Sequence, residues 1–284
     1  MQILKGIKAR PRRILIYGVH GCGKSTWASE APKPFFVNLE DGVNDIDCDK
    51  SQQLRTLDEV MYCLHWLLKE QHDYQTCVID TIDWLEQVIN KDLCEKSGSE
   101  SLAEVGGGFG KGNARAITKW SAIVDVLGSL QRQRGMSIIL ISHAKIEKIK
   151  PADQDAYDKY APDLANHASM VLQEWCDEVL FAQFKVYVAQ IEDGIKKTRG
   201  RASGGKEVAV RTSETPYAYA KNRVAGMPSE IQLSWPAYFS YVKAHYATVK
   251  KGDIESLVVD GSSKVADPIG NMLMTDDVVS YLKG

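Results

Sequence analysis

An α/β fold with a mainly parallel central sheet, flanked by helices and extended by antiparallel strands, is predicted by three observations. Short apolar runs alternate with stretches of helical period through the first half of the chain, the pattern of strand–helix–strand units with crossover connections. The first apolar run enters a glycine-rich turn that opens a helix. Beyond about Val179 the pattern changes to closely spaced extended runs separated by one polar, glycine-rich tip, which reads as an antiparallel continuation of the sheet.

The elements follow in order. "RILIYG" is the first strand and "KSTWASEA" the first helix, ended at Pro32. "FFVNLE" is a second strand. "TLDEVMYCLHWLLKEQ" is an amphipathic helix, with Thr56 as its cap and Val60, Leu64, Leu67 and Leu68 on one face. "TCVIDT" is a third strand, followed by the helix "IDWLEQVINKDLCEK". Residues 97 to 113, "SGSESLAEVGGGFGKGN", are polar and glycine-rich and predict a mobile loop. A long helix from about Ala114 to Arg134 leads to the fourth strand, "SIILIS". "EVLFAQFKVYVAQIE" and "VAVRTS" then flank the basic tip "DGIKKTRGRASGGKE" as a long hairpin, and "SWPAYFSYVKAHYA" is a closing helix. Three parts result: a basic leader at 1–12, a core at 13–247, and a tail at 248–284 in which "TDDVVSYLKG" alone reads as helical.

Composition narrows the function classes. The chain has 284 residues, 44% of them hydrophobic and 25% charged, which fits one large domain able to bury its own core. A formal net charge of −2 excludes a uniformly basic nucleic-acid wrapper, so any nucleic-acid contact must come from local patches. The six cysteines are scattered, with no CxxC pair and no zinc-like spacing, and read as reduced thiols. No apolar run approaches the ~18 residues of a membrane span, and the expected location is the cytoplasm.

The strongest chemical signal is "GVHGCGKS", residues 18 to 25, which fits G-x-x-x-x-G-K-[ST] between a strand and a helix. Backbone N–H groups of such a loop cradle phosphates, so Gly18, Val19, His20, Gly21, Cys22, Gly23, Lys24, Ser25 and Thr26 are the candidate contacts to ATP. Lys24 would reach the β- and γ-phosphates and Ser25 would ligate Mg²⁺. Asp80 ends an apolar strand, where a carboxylate can hold Mg²⁺ through water, and the residue after it is Thr81 rather than a catalytic glutamate. The base for an attacking water must therefore come from elsewhere. Glu40, at the tip of the second strand, shares the carboxyl edge of the sheet and is the first candidate, with Asp41 and Asp83 behind it. His143, at the end of "ILISHAK", is placed to sense the γ-phosphate by hydrogen bonding.

Taken together, the glycine loop, "NLED", the Asp80 strand, the polar end of the fourth strand and a late Lys221-x-Arg223 resemble the RecA-like ATPase core. Through "FGKGN", "EWCDEVLFA" and "AYAKNR" the chain is similar to phage-encoded nucleotide-binding proteins that include single-strand-annealing recombinases. The resemblance spans about residues 10 to 245. It implies ATP hydrolysis to ADP and phosphate, stimulated by single-stranded DNA, in phage recombination or replication, with a single-strand-binding or other replication protein as a further partner. It also implies a homo-oligomer with ATP sites between subunits, in which Lys221 and Arg223 touch the neighbour's γ-phosphate. Two loops would face DNA: residues 97 to 113, with Phe109 and Lys111, and residues 144 to 165, with Lys145 and Lys148. The hairpin tip, with Lys196, Lys197, Arg199 and Arg201, is the densest late positive patch. A helicase or packaging motor on the same core, and a nucleotide-gated binding module with little turnover, are the alternatives.

Overall fold

The computed structural model describes residues 9–193 and 197–247. The tail from 248 and its expected helix lie outside the described residues, as do Lys5 and Lys8 of the leader. Among the described residues nine strands form the sheet: β1 (Arg13–Gly18), β2 (Pro34–Asn38), β3 (Asp49–Lys50), β4 (Thr76–Asp80), β5 (Ser137–Ile149), β6 (Tyr157–Pro162), β7 (Glu178–Asp193), β8 (Lys197–Arg211) and β9 (Glu230–Gln232). Six helices accompany them: α1 (Lys24–Ser29), α2 (Leu57–Lys69), α3 (Ile82–Ser97), α4 (Lys111–Arg134), α5 (Asn166–Trp175) and α6 (Trp235–Ala247).

The spatial order is β3-β2-β4-β5-β1-β7-β8-β9, with β6 paired to β5 off this path. Pairings from β3 to β7 are parallel, and β8 and β9 are antiparallel. The mainly parallel sheet and its antiparallel extension are thus as the residue pattern predicts. A parallel sheet covered on both faces demands near-continuous apolar strands, and β1 shows why. Leu15 and Tyr17 enter the core shared with α2, α3, α4 and α5, whereas Ile14 and Ile16 enter the opposite core under α1 and α6. Thr56 caps α2 through a reciprocal box: its hydroxyl accepts from Glu59 N–H at 3.2 Å, and Glu59 accepts from Thr56 N–H at 2.9 Å.

Two expectations need correction. The fourth strand does not stop at Ser142; β5 runs on to Ile149 and pairs with β6, so the expected loop at 144 to 165 is largely a hairpin arm. Two of its acidic residues lie opposite lysines, Glu147 facing Lys159 and Asp158 facing Lys148. The expected mobile loop at 97 to 113 is anchored at two points. Val105 is fully buried, and a Cβ on Gly112 would lie 1.9 Å from the Leu102 carbonyl oxygen, so this backbone packs directly on backbone. Arg12 and Arg13, where the basic leader meets the core, are neutralised within the chain. Arg12 is buried against Glu178 and donates to the Tyr246 hydroxyl at 2.8 Å, while Arg13 pairs with the buried Asp177 at 3.1 Å.

Candidate nucleotide site at the carboxyl edge

Register brings the candidate chemistry together. Gly18 at the end of β1 is paired with His143 on one side and Ala182 on the other, and Asp80 at the end of β4 is paired with Asn38 and Ile141. The carboxyl edge therefore presents, in spatial order, the tip of β2, Asp80, His143 and the glycine loop. Gly18 is required by contact: a Cβ there would sit 2.1 Å from the Ala182 carbonyl oxygen. Gly21 and Gly23 are required by backbone conformation, with φ of +70° and +93°.

Lys24 is only 6% exposed. Its ammonium donates to the carbonyls of Gly18 at 3.0 Å and Val19 at 2.9 Å, with Cys22 Sγ at 4.0 Å, and among the described residues no carboxylate pairs with it. A buried cation held by carbonyl dipoles, with the Asp80 carboxylate acting on it from beyond ion-pair contact, is short of a direct anionic partner. A bound phosphate supplies one, so the loop fits a nucleotide on this ground as well as on its motif. Val19, His20, Gly21, Cys22 and Gly23 form the turn itself, and Ser25 and Thr26 lie in the first turn of α1.

Asp80 is buried beside Ser25, whose hydroxyl hydrogen-bonds its carboxylate. Burial pushes its pKa up to about 6 in spite of that bond, with Glu40 adding repulsion and Lys24 and His143 opposing it. Among the described residues no three His, Cys, Asp or Glu side chains gather into an all-protein metal cage. Mg²⁺ keeps several waters and is held by one or two carboxylates together with substrate phosphates. Ser25 and Asp80 are the residues that would hold it.

Glu40 follows β2 with its N–H donating to the Asp80 carbonyl at 3.3 Å. Its Oε1 lies 3.7 Å from His143 Nε2. The other ring nitrogen, Nδ1, is 2.8 Å from Asp83 Oδ2, and the His143 N–H donates to Asp83 Oδ1 at 3.0 Å. The Asp83 hydrogen bond raises the His143 pKa, working against burial. Asp83, Asp41 and Glu40 now separate as candidate bases. Asp83 is occupied by His143, and Asp41 turns toward Asn44, whose Nδ2 donates to its Oδ1 at 2.7 Å. Glu40 is the one of the three whose carboxylate lies against His143 Nε2.

One contact had no signal in the sequence beyond loop membership. The His20 ring stacks on His143 with centroids 3.8 Å apart and planes 20° from parallel, which ties the phosphate loop to the Asp83–His143–Glu40 series.

The remaining candidates lie elsewhere. Lys221 pairs through its backbone with Val179, and its ammonium donates to the Glu174 carbonyl at 3.3 Å. Arg223 reaches Asp177 Oδ1 at 3.3 Å, a buried carboxylate that also takes Arg10 at 2.5 Å and Arg13 at 3.1 Å. Because Asp177 directly precedes β7, these cations sit at the amino edge, across the sheet from their own chain's glycine loop. Phe109 is fully exposed on the glycine loop that ends at Lys111, the first residue of α4. Lys145 is engaged within the chain, by the Leu164 carbonyl and by Glu147 at 3.1 Å, whereas Lys148 is exposed on the hairpin arm. Lys196 lies outside the described residues; Lys197, Arg199 and Arg201 are on β8, and their side chains also lie outside them. No described helix is long and apolar enough to cross a membrane.

Over 150 residues the chain is 24% identical to the SPbeta prophage-derived uncharacterized protein YorG of Bacillus subtilis (strain 168), a stretch covering 51% of this chain and 44% of that relative. The match thus spans less than half of the relative's length. The AAA domain family matches residues 10–224, from the arginines before β1 through the Lys221-x-Arg223 segment. That span is most of the chain and contains the glycine loop, Glu40, Asp80 and His143, and the chain belongs to the AAA domain family, a P-loop ATPase type.

Proposed function

We propose that this protein binds ATP with Mg²⁺ and hydrolyses it to ADP and phosphate while engaging single-stranded DNA in phage recombination or replication. The observation that carries the reading is the convergence of Lys24, Ser25–Asp80, Glu40 and His143 on one sheet edge. Lys24 exchanges its carbonyl partners for phosphate oxygens and neutralises charge there. Glu40 accepts the proton of the attacking water. His143, fixed by Asp83 through Nδ1, presents Nε2 toward Glu40 and the γ-phosphate, and attracts both when its ring is protonated. Mg²⁺, when bound, supplies Lewis-acid stabilisation of charge on the phosphates.

The DNA contact is assigned to the glycine loop with Phe109 as a stacking ring and Lys111 as a phosphate partner. The prophage origin in the relative's name supports the phage setting. Lys221 and Arg223, at the amino edge, act on a neighbour's nucleotide only if subunits stack amino edge to carboxyl edge, a head-to-tail homo-oligomer.

The test is Glu40→Gln. Nucleotide binding should persist while phosphate release, measured with and without single-stranded DNA, falls by about 10²–10⁴-fold. Unchanged turnover removes Glu40 from the mechanism. Wild-type release that ignores DNA at low salt removes the DNA half of the reading, and negligible wild-type release under all conditions favours the nucleotide-gated binding module. Strand displacement would instead identify a motor.

A further inference from the structure

A phosphate loop cradles its ligand with backbone N–H groups, which every residue but proline supplies. The imidazole of His20 is not needed for that task, and it lies exposed at the turn of the loop. Its ring stacks on that of His143, with centroids 3.8 Å apart and planes 20° from parallel. His143 is only 9% exposed, and among the described residues His20 is the one aromatic ring against it. The backbone at this position is ordinary: Gly21 and Gly23 have left-handed φ, whereas His20 does not, so other side chains fit there without strain.

The contacts of His143 show what the stack adds. Asp83 holds the backbone N–H at 3.0 Å and the ring Nδ1 at 2.8 Å, both on one side of the residue. Contact along one edge acts as a hinge, about which a flat ring can still tilt. The opposite nitrogen, Nε2, moves furthest in such a tilt. It lies 3.7 Å from Glu40 Oε1, beyond hydrogen-bond distance, so Glu40 does not lock that end. A second ring lying against the face does, because tilting His143 would break the parallel contact with His20.

We infer that the His20 side chain is a positioning residue for hydrolysis: it acts through His143, holding that ring in the plane that aims Nε2 at Glu40 and the γ-phosphate. The ring is thereby aligned by the same loop that holds the phosphates, so the phosphate cradle and the water-activating pair form one unit. An aromatic pair biases an orientation by about two- to tenfold, which sets the size of the effect. This inference rests on the ATP-hydrolysis reading above and adds to it a side chain that works without touching the nucleotide.

The experiment measures steady-state phosphate release by the full chain with ATP and Mg²⁺, and follows the His143 ring resonances by NMR, in wild-type, His20→Ala, His20→Phe and His20→Gln proteins. His20→Ala should lower kcat about two- to tenfold while KM stays within about twofold, and the His143 resonances should move as the ring current of the stacked neighbour is lost. His20→Phe restores a flat ring without a hydrogen-bonding nitrogen and should recover part or most of the loss. His20→Gln keeps hydrogen-bonding capacity without a ring and should behave as alanine does. Recovery by glutamine rather than phenylalanine, or a loss carried by KM, overturns the inference in favour of a direct contact between His20 and the phosphates. Unchanged kcat in His20→Ala, His143 resonances that stay in place, or a phenylalanine variant that recovers nothing overturns stacking as the cause. If wild-type protein releases no phosphate, the hydrolysis reading is what fails, and the His143 resonances alone then decide whether His20 orients the ring.

Discussion

Replacing Asp83 by asparagine keeps the size of the side chain and removes its charge, which isolates what that charge does for His143. Asp83 accepts two hydrogen bonds from one residue, the His143 N–H at 3.0 Å and the ring Nδ1 at 2.8 Å, with both residues buried. A hydrogen bond to a charged group contributes ~1.5–3 kcal/mol. Asparagine can still accept one of the two, so the substitution should cost about 2 kcal/mol near pH 5.5. The pH dependence gives the sharper check. The Asp83 hydrogen bond raises the His143 pKa above its ordinary ~6.5. The resulting stabilisation is complete below ~6.5 and is lost as pH rises through the higher folded-state value. Burial works to raise the Asp83 pKa, but the His143 ring and N–H outweigh it and hold the carboxyl below its ordinary ~3.9. Its share is present above ~3.9 and is lost as pH falls through the lowered value. The pair therefore contributes most between about pH 4 and 6.5. Urea denaturation of wild-type and Asp83→Asn proteins, paired at each pH, should show the widest stability gap at pH ~5.5 and a narrowing gap above ~7. The His143 ring titration, followed by NMR, should move down in the variant. A gap that is constant with pH, or that widens at alkaline pH, refutes the ion pair as the cause.

Two further outcomes follow from contacts. Gly18→Ala drives a Cβ into the Ala182 carbonyl oxygen, a backbone atom that cannot rotate away, so β1 and β7 must part; unfolding should become easier by about 3 kcal/mol or more, and an alanine variant within ~1 kcal/mol of wild type would contradict that packing. Arg223→Ala leaves Asp177 paired with Arg10 and Arg13, so the variant should fold. If Arg223 acts on a neighbour, mixing it with Lys24→Ala protein should restore activity at roughly a quarter of the interfaces in a random equimolar mixture, and no recovery would confine Arg223 to its own chain.

The parts of the site that were legible in the sequence are those set by local rules. The glycine loop carries its own spacing, and Asp80, Glu40 and His143 each follow an apolar strand, so a parallel sheet delivers them to one edge whatever the rest of the chain does. What escaped depends on pairing between distant segments. Residues 144 to 165 read as a loop because their charge complementarity exists only across strands: Glu147 faces Lys159 and Lys148 faces Asp158 once β5 folds back on β6. In the same way, Arg12 and Arg13 look like surface charge until the chain returns at Asp177 and Glu178, more than 160 residues later, to neutralise them. Lys221 and Arg223 raise the question in its hardest form. Their spacing suggested a second half-site, and the fold gives both a partner at the amino edge: Asp177 for Arg223 and the Glu174 carbonyl for Lys221. Those partners differ in strength. Asp177 is already shared by two other arginines, and the Arg223 side chain remains half exposed, so its release toward a neighbouring subunit would leave the buried carboxylate satisfied. The three-to-one excess of arginine at Asp177 would let Arg223 leave that carboxylate without unpairing it, as the proposed head-to-tail assembly requires.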